Sequence, residues 1–317
     1  NGVTKDPVQA AEWYARAAEQ GLARAQYNLG YCYKTGEGVE KDPKKAAMWC
    51  EKAAEQGIAV AQNSIGYCYD TGFGVEKDTS KAVFWYRKAA EQGNVGAQYK
   101  LGKCYYYGKG TEKDNEEAVK WFRKAAEQGD ADAQYKLGLF YENGYGVAQN
   151  KEEAVKWYRK SAEQGNATAQ RNLAIFYKNG YGVTQNKEEA VKWYKKAAEQ
   201  GDADAQNSLG YCYKNGEGVE KNSAKAVEWY RKSAEQGYDR GQFALAGCYE
   251  YGEGVPQDKE KALQWYKKAA DQGFGGAEWA IKNMQSNGIG PALAFGAALA
   301  VEGVLEKLER LGEIFKG

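Results

Sequence analysis

Tryptophan falls at Trp13, Trp49, Trp85, Trp121, Trp157, Trp193, Trp229 and Trp265, always 36 residues apart. The same step carries Ala10, Ala18, Gln20 and Gly21 through eight copies without insertion or deletion, ending at Ala262, Ala270, Gln272 and Gly273. A fixed period in the range of about 20–50 residues marks an array of small units, each unable to bury its apolar face without neighbours. At 317 residues the chain is also longer than one compact core readily supports. An array of eight units satisfies both constraints.

Each unit spells out two helices. Asp42-Pro43 opens the first, with a carboxylate to accept from free amides and a proline at the first helical position. The equivalent cap is always Asp or Asn: Asp6, Asp42, Asp78, Asp114, Asn150, Asn186, Asn222 and Asp258. Gln9, Glu117, Glu153 and Glu189 follow three residues later and predict capping boxes in four repeats. Ala46, Trp49, Cys50, Ala53 and Ala54 set an apolar face at helical spacing, and Gly57 stops the helix. A second helix is expected from Ala59 to Asp70, burying Ala61, Ile65, Cys68 and Tyr69. Its Gly66 lets a neighbouring helix approach closely. The predicted fold is all-α, with helix-turn-helix repeats starting near residues 7, 43, 79, 115, 151, 187, 223 and 259.

The run Ala190-Val191-Lys192-Trp193-Tyr194-Lys195-Lys196-Ala197-Ala198-Glu199-Gln200-Gly201, with Ala205-Gln206, Leu209-Gly210, Tyr213 and Gly216-Glu217-Gly218-Val219, resembles the Sel1-like repeat consensus. The resemblance spans residues 1 to 288. It implies a right-handed α/α superhelical solenoid related to tetratricopeptide repeats. It also implies a role as adaptor or scaffold that binds a protein or peptide partner. The alternative of a different kind is a structural subunit that assembles with its own copies.

Chemistry finds little footing. The chain has no histidine, which removes Ser-His-Asp and Cys-His nucleophile systems and histidine metal ligands. Some Sel1-like proteins are linked to penicillin binding, but this chain has no Ser-x-x-Lys motif. Paired acids such as Glu152-Glu153 and Glu188-Glu189 sit in first helical turns, where they favour the helix dipole. Glu152, four residues before Lys156, reads as a solvated pair. Loops such as Gly144-Tyr145-Gly146-Val147 lack the Lys-Ser or Lys-Thr of a phosphate-binding loop and recur in every repeat, so they read as turns. The chain is read as a non-enzyme needing no cofactor or metal. A formal net charge of +1 leaves no footprint for nucleic acid.

Cys32, Cys68, Cys104, Cys212 and Cys248 share one repeat position with Phe140, Phe176 and Met284, which marks a buried apolar site. Equivalent residues of stacked helices lie roughly 10 Å apart, beyond the reach of a disulfide. Secreted Sel1-like proteins carry a cysteine pair around the inter-helix turn, where this chain has Ala18 and Ala25. Cys50 stands apart and is left free to approach Cys32 or Cys68. Core thiols favour a reduced compartment, such as the cytoplasm. Asn166-Ala167-Thr168 is a lone glycosylation sequon in a turn.

Solenoids bind through residues the fold does not fix. Three series vary once the fixed positions are subtracted. One is Glu12, Met48, Phe84, Lys120, Lys156, Lys192, Glu228 and Gln264. The second is Tyr27, Asn63, Tyr99, Tyr135, Arg171, Asn207, Phe243 and Trp279, and the third is Tyr31, Tyr67, Lys103, Leu139, Ile175, Tyr211, Gly247 and Asn283. Met48 and Phe84 are apolar where the family has a polar residue, and Tyr99 and Tyr135 are of the type enriched at binding hot spots. With Lys120 and Lys156 they form the candidate partner surface. The competing reading packs these side chains between helices as core.

After Gly288 the repeat stops, and Pro291 opens a different segment. Val301, Leu305, Leu308, Leu311 and Phe315 lie three or four apart and predict one amphipathic helix over 289–317. A cap for the array is its first reading and self-association its second. Membrane insertion comes third, because Ile289 to Leu305 is short and carries Glu302. The chain opens on Asn1-Gly2-Val3-Thr4-Lys5-Asp6, which matches an internal loop, so it reads as starting inside a repeat.

Overall fold

The computed structural model describes residues 6–286, and these form sixteen α-helices and no strand. In chain order they are α1 Pro7–Glu19, α2 Ala23–Thr35, α3 Pro43–Glu55, α4 Ala59–Thr71, α5 Thr79–Glu91, α6 Val95–Tyr107, α7 Asn115–Glu127 and α8 Ala131–Asn143. There follow α9 Lys151–Glu163, α10 Ala167–Asn179, α11 Lys187–Glu199, α12 Ala203–Asn215, α13 Ser223–Glu235, α14 Asp239–Tyr251, α15 Lys259–Ala270 and α16 Gly275–Gln285. They divide into two compact units. One holds the described residues up to Ala169 with Tyr181–Thr184, and the other holds Gln170–Gly180 and the described residues from Gln185. Within each unit, consecutive helices pack as neighbours in a helical-repeat array.

The helix starts are set by the caps. Asp42 accepts from the Lys45 amide at 3.0 Å, and Asp78 and Asp114 do the same for Lys81 and Glu117. The capping box closes only halfway. The cap's own amide goes instead to a tyrosine carbonyl of the preceding helix, as in Asp114 N to Tyr105 O at 2.9 Å. Glu117, Glu153 and Glu189 are thereby released to pair with Lys120, Lys156 and Lys192. Lys156 thus bonds Glu153 rather than Glu152.

The tighter pairing is between an even helix and the odd helix that follows it. Glycine explains it. A Cβ built on Gly66 of α4 would sit 2.7 Å from the Tyr86 ring of α5, so the ring rests directly on the backbone. Tyr86, Phe122 and Tyr158 fill this position in successive repeats and are fully buried. Cys50 occupies it in α3, against Gly30, and is buried as a free thiol rather than bridged to Cys32 or Cys68. The loop between the two helices is equally fixed. Gly74 has φ of 73°, and a Cβ there would lie 1.9 Å from the Pro43 carbonyl oxygen. The Gly-x-Gly-Val loops are therefore packing turns.

Successive repeats are pinned by glutamine. Gln62 donates to the Ala54 carbonyl at 3.1 Å and accepts from Gln92 at 2.7 Å. The motif recurs through Gln98 and Gln128 to Gln134 and Gln164 in the first unit, and again in the second. Ala46, Cys50, Ala53 and Ala54 are buried as the spacing predicts. Trp49 is half-buried, because Lys52 lies over its ring at 4.5 Å. The segment 289–317, with Val301, Leu305, Leu308, Leu311 and Phe315, lies outside the described residues.

Candidate protein-binding surface

The sequence candidates fall on two different surfaces. Met48 of α3, Phe84 of α5, Lys120 of α7 and Lys156 of α9 are all exposed at one repeat position of the odd helices. Met48 is 42% and Phe84 51% exposed, well above what core packing leaves open. Phe84 meets the Trp85 ring edge-on at 5.1 Å, and Lys88 covers it at 4.7 Å. Lys120 is held by Glu117 at 2.6 Å and Lys156 by Glu153, one turn back on their own helices. This surface is therefore two apolar side chains followed by neutralised lysines.

Tyr99 of α6 and Tyr135 of α8 belong to the even helices and are half-buried. Their rings pack on Phe122 and Tyr158 of the next helix, at 5.8 and 5.9 Å. Burial pushes the Tyr99 hydroxyl far above the usual phenol range, with the charges of Asp132 and Asp130 adding to it. These two tyrosines serve the packing of the first unit and present part of themselves on its even-helix face.

More open aromatic area lies on the same face at Tyr31 of α2, 49% exposed, and Tyr67 of α4, 39% exposed. Lysines gather there. Lys34 and Lys100 place their ammonium groups 5.2 and 4.6 Å from the centre of the Tyr67 ring, and Lys103 lies 5.9 Å from that of Tyr99. Desolvation lowers the Lys100 pKa, and Asp70 partly offsets this from beyond ion-pair distance. Sequence reasoning passed over Lys34, Lys100 and Asp70. The available signal was Asn28, Ser64, Lys100, Lys136, Asn172, Ser208 and Ala244, a repeat position that changes from neutral to basic.

The Sel1 repeat model matches residues 1–22, 23–58, 59–94, 95–130, 131–166, 167–202, 203–238 and 239–274. The chain belongs to the Sel1 repeat family. Proteins of this family are in general scaffolds for protein–protein interaction. From residue 23 onward the family frame starts each Sel1 repeat at the even helix, so that it brackets the tighter helix pair. Among solved structures, the chain is similar to a protective antigen of uropathogenic Escherichia coli with an SLR fold. Identity is 42% and the TM-score 0.87, over 95% of this chain and 64% of that one. It therefore spans less than two thirds of that protein's length. It is also similar to a Sel1 repeat protein from Oxalobacter formigenes, at 36% identity and a TM-score of 0.71, over 89% of this chain and 82% of that one. A search of curated proteins returns no match.

Other features of the Sel1 array are structural. All six cysteines are free and buried, and burial pushes Cys104, Cys212 and Cys248 up to about 11 and Cys50 up to about 12. Such thiols are poor nucleophiles. Among the described residues no group of acids and cysteines could hold a metal ion. No described helix is long and apolar enough to cross a membrane. The sequon residue Asn166 caps α10, accepting from the Ala169 amide at 2.9 Å while its own amide donates to Asp132 at 3.1 Å.

Proposed function

We propose that this Sel1 repeat chain is a non-catalytic adaptor whose first unit holds an extended segment of a protein partner on its even-helix face. The observation that supports it most is the openness of Tyr31 and Tyr67. Aromatic side chains of this kind give large contact area at low entropic cost and dominate binding energetics. Equivalent positions further along, Leu139 and Ile175, are buried, so the feature is local and the repeat does not demand it.

A second reading places the partner on the odd-helix face at Met48 and Phe84, supported by their exposure beside Trp49 and Trp85. Selection from a displayed random-peptide library separates the two. Ligands lost on Tyr31→Ala with Tyr67→Ala, but kept on Met48→Lys with Phe84→Lys, support the even-helix face. The reverse pattern moves the partner to the odd helices. A selection that enriches nothing counts against both. Assembly with other copies through residues 289–317 stays a proposal, tested by light scattering on the chain with and without that segment.

A further inference from the structure

The even-helix face of the first unit carries more than aromatic area. Lys34, Lys100 and Lys103 make no ion pair among the described residues, and Lys100 is half-buried. Lys34 and Lys100 converge on one ring, Tyr67, although they come from different repeats. Lys100 also lies 5.2 Å from the ring centre of Tyr86, and the buried Tyr86 hydroxyl has no hydrogen-bond partner among the described residues. Half-burying an ammonium group without a counter-ion is unfavourable, and its pKa falls in response. Asp70 is the acid whose charge bears on Lys100, and the Lys34 charge works against it.

The arrangement is not a by-product of the repeat. In the second unit the Lys34–Tyr67 contact is reproduced by Lys178 over Tyr211 at 4.7 Å. There, Ala244 occupies the position equivalent to Lys100, so that lysine is not repeated. The first unit has added charge to a shared framework.

We propose that Lys34 and Lys100 around the Tyr67 ring, with Lys103 beside Tyr99, form a site for the carboxylate side chains of an acidic peptide segment. The carboxylates supply the counter-charge that Lys100 lacks, and Tyr31 and Tyr67 cover the apolar stems of the segment. The proposal rests on the even-helix reading and gives it a partner chemistry.

Fluorescein-labelled hexaglutamate tests it by fluorescence anisotropy at low salt. Hexaglutamate should bind the chain and hexaglutamine should not. Charge-assisted hydrogen bonds predict about a tenfold loss for Lys34→Met with Lys100→Met. These variants keep most of the aliphatic stems over Tyr67, and a helical circular dichroism spectrum confirms their fold. Lys192→Met with Lys261→Met and Lys178→Met should leave affinity within about twofold, as expected for lysines outside the site. Failure of hexaglutamate to bind overturns the proposal, as does an equal loss in the control variants. If display-selected peptides depend on Tyr31 and Tyr67 but ignore Lys34→Met with Lys100→Met, the acidic partner is wrong and the face stands. If hexaglutamate behaves as expected while no selected peptide depends on those tyrosines, the site stands and the adaptor reading loses its support.

Discussion

The side-chain amide of Gln92 donates to the side-chain oxygen of Gln62 at 2.7 Å, thirty residues back along the chain. Gln62 is buried and spends its own amide on the Ala54 carbonyl. One residue thus ties the end of an odd helix to the end of the next odd helix. Replacing Gln62 by Leu removes both side-chain bonds and leaves the Ala54 carbonyl to the Gly57 amide. A loss of about 1–3 kcal/mol is expected, the sum of two net hydrogen bonds of about 0.5–1.5 kcal/mol each. Gln92→Leu should cost less than half of that, because Gln92 is solvent-exposed. Urea denaturation midpoints of the two variants check the order; equal losses would refute it.

Tyr86 is missing a bond that its equivalents possess. Tyr158 donates to Glu142, and Tyr266 donates to Glu250 at 2.7 Å, in each case sixteen residues back. The residue sixteen before Tyr86 is Asp70, one methylene shorter, and the Tyr86 hydroxyl is left buried without a partner. Asp70→Glu should therefore stabilise the chain by about 1 kcal/mol, a typical net hydrogen bond. Glu250→Asp should do the opposite. The gain must vanish in a Tyr86→Phe background if the hydroxyl is its source, and thermal melts of the double-mutant cycle decide this.

Two glycines of similar φ should respond very differently to the same substitution. Gly57 has φ of 91° and nothing within 4 Å of where a Cβ would be. Gly57→Ala then costs only the left-handed conformation, about 1–2 kcal/mol. Gly74→Ala adds a collision with the Pro43 carbonyl oxygen at 1.9 Å. The loop has to leave that helix end, so the loss should exceed about 3 kcal/mol. Comparable denaturation midpoints for the two variants would show that the loop yields easily.

These cases show what could be read from the sequence. The period, the Asp and Asn caps and the helix-ending glycines are local signals, and the helices begin and end where they indicate. The helix phase between odd and even helices is a tertiary property. Met48, Phe84, Lys120 and Lys156 therefore could not be told apart from Tyr99 and Tyr135 as belonging to another face. The capping box failed because Tyr105 and its equivalents offer a carbonyl to the cap amide, a contact nine residues away in sequence that a four-residue motif does not see. Cys50 looked like a stray thiol, yet it fills the ring position of Tyr86 and Phe122. Lys100 escaped notice because Tyr67, which gives it meaning, lies a repeat away.

The buried thiols predict a stability limit at alkaline pH. Their folded pKa values lie above the ordinary thiol value of 9.0, with Cys104, Cys212 and Cys248 at about 11 and Cys50 at about 12, all chiefly through desolvation. Above pH 9 the unfolded chain releases these protons while the folded chain keeps them. The unfolded state then binds fewer protons, so stability falls with rising pH. The contribution is complete below pH 9 and lost between 9 and about 12, each tenfold difference in acidity being worth about 1.4 kcal/mol. Lys100 acts in the opposite direction, since its lowered pKa relieves a destabilising charge as pH rises. Six thiols outweigh one amine. Melting temperature should hold from pH 7 to 9 and fall beyond it, by less when Cys104 and Cys212 are both alanine. A flat profile would contradict the burial of the thiols.

Met48 and Phe84 offer the sharpest test of which apolar groups belong to the core. With 42% and 51% of their surface open, neither fills a space that the helices need. Substitutions at such positions usually fall within about 0.5 kcal/mol. Met48→Lys with Phe84→Lys should therefore move the melting temperature by no more than about 2 °C per substitution. Tyr86→Lys, two residues from Phe84 but fully buried against Gly66, should instead unfold its part of the array. A drop of more than about 6 °C for the Met48 and Phe84 pair would make them core residues. The odd-helix face would then lose the two apolar groups that recommend it as a partner surface here, and the even helices of the first unit would be favoured.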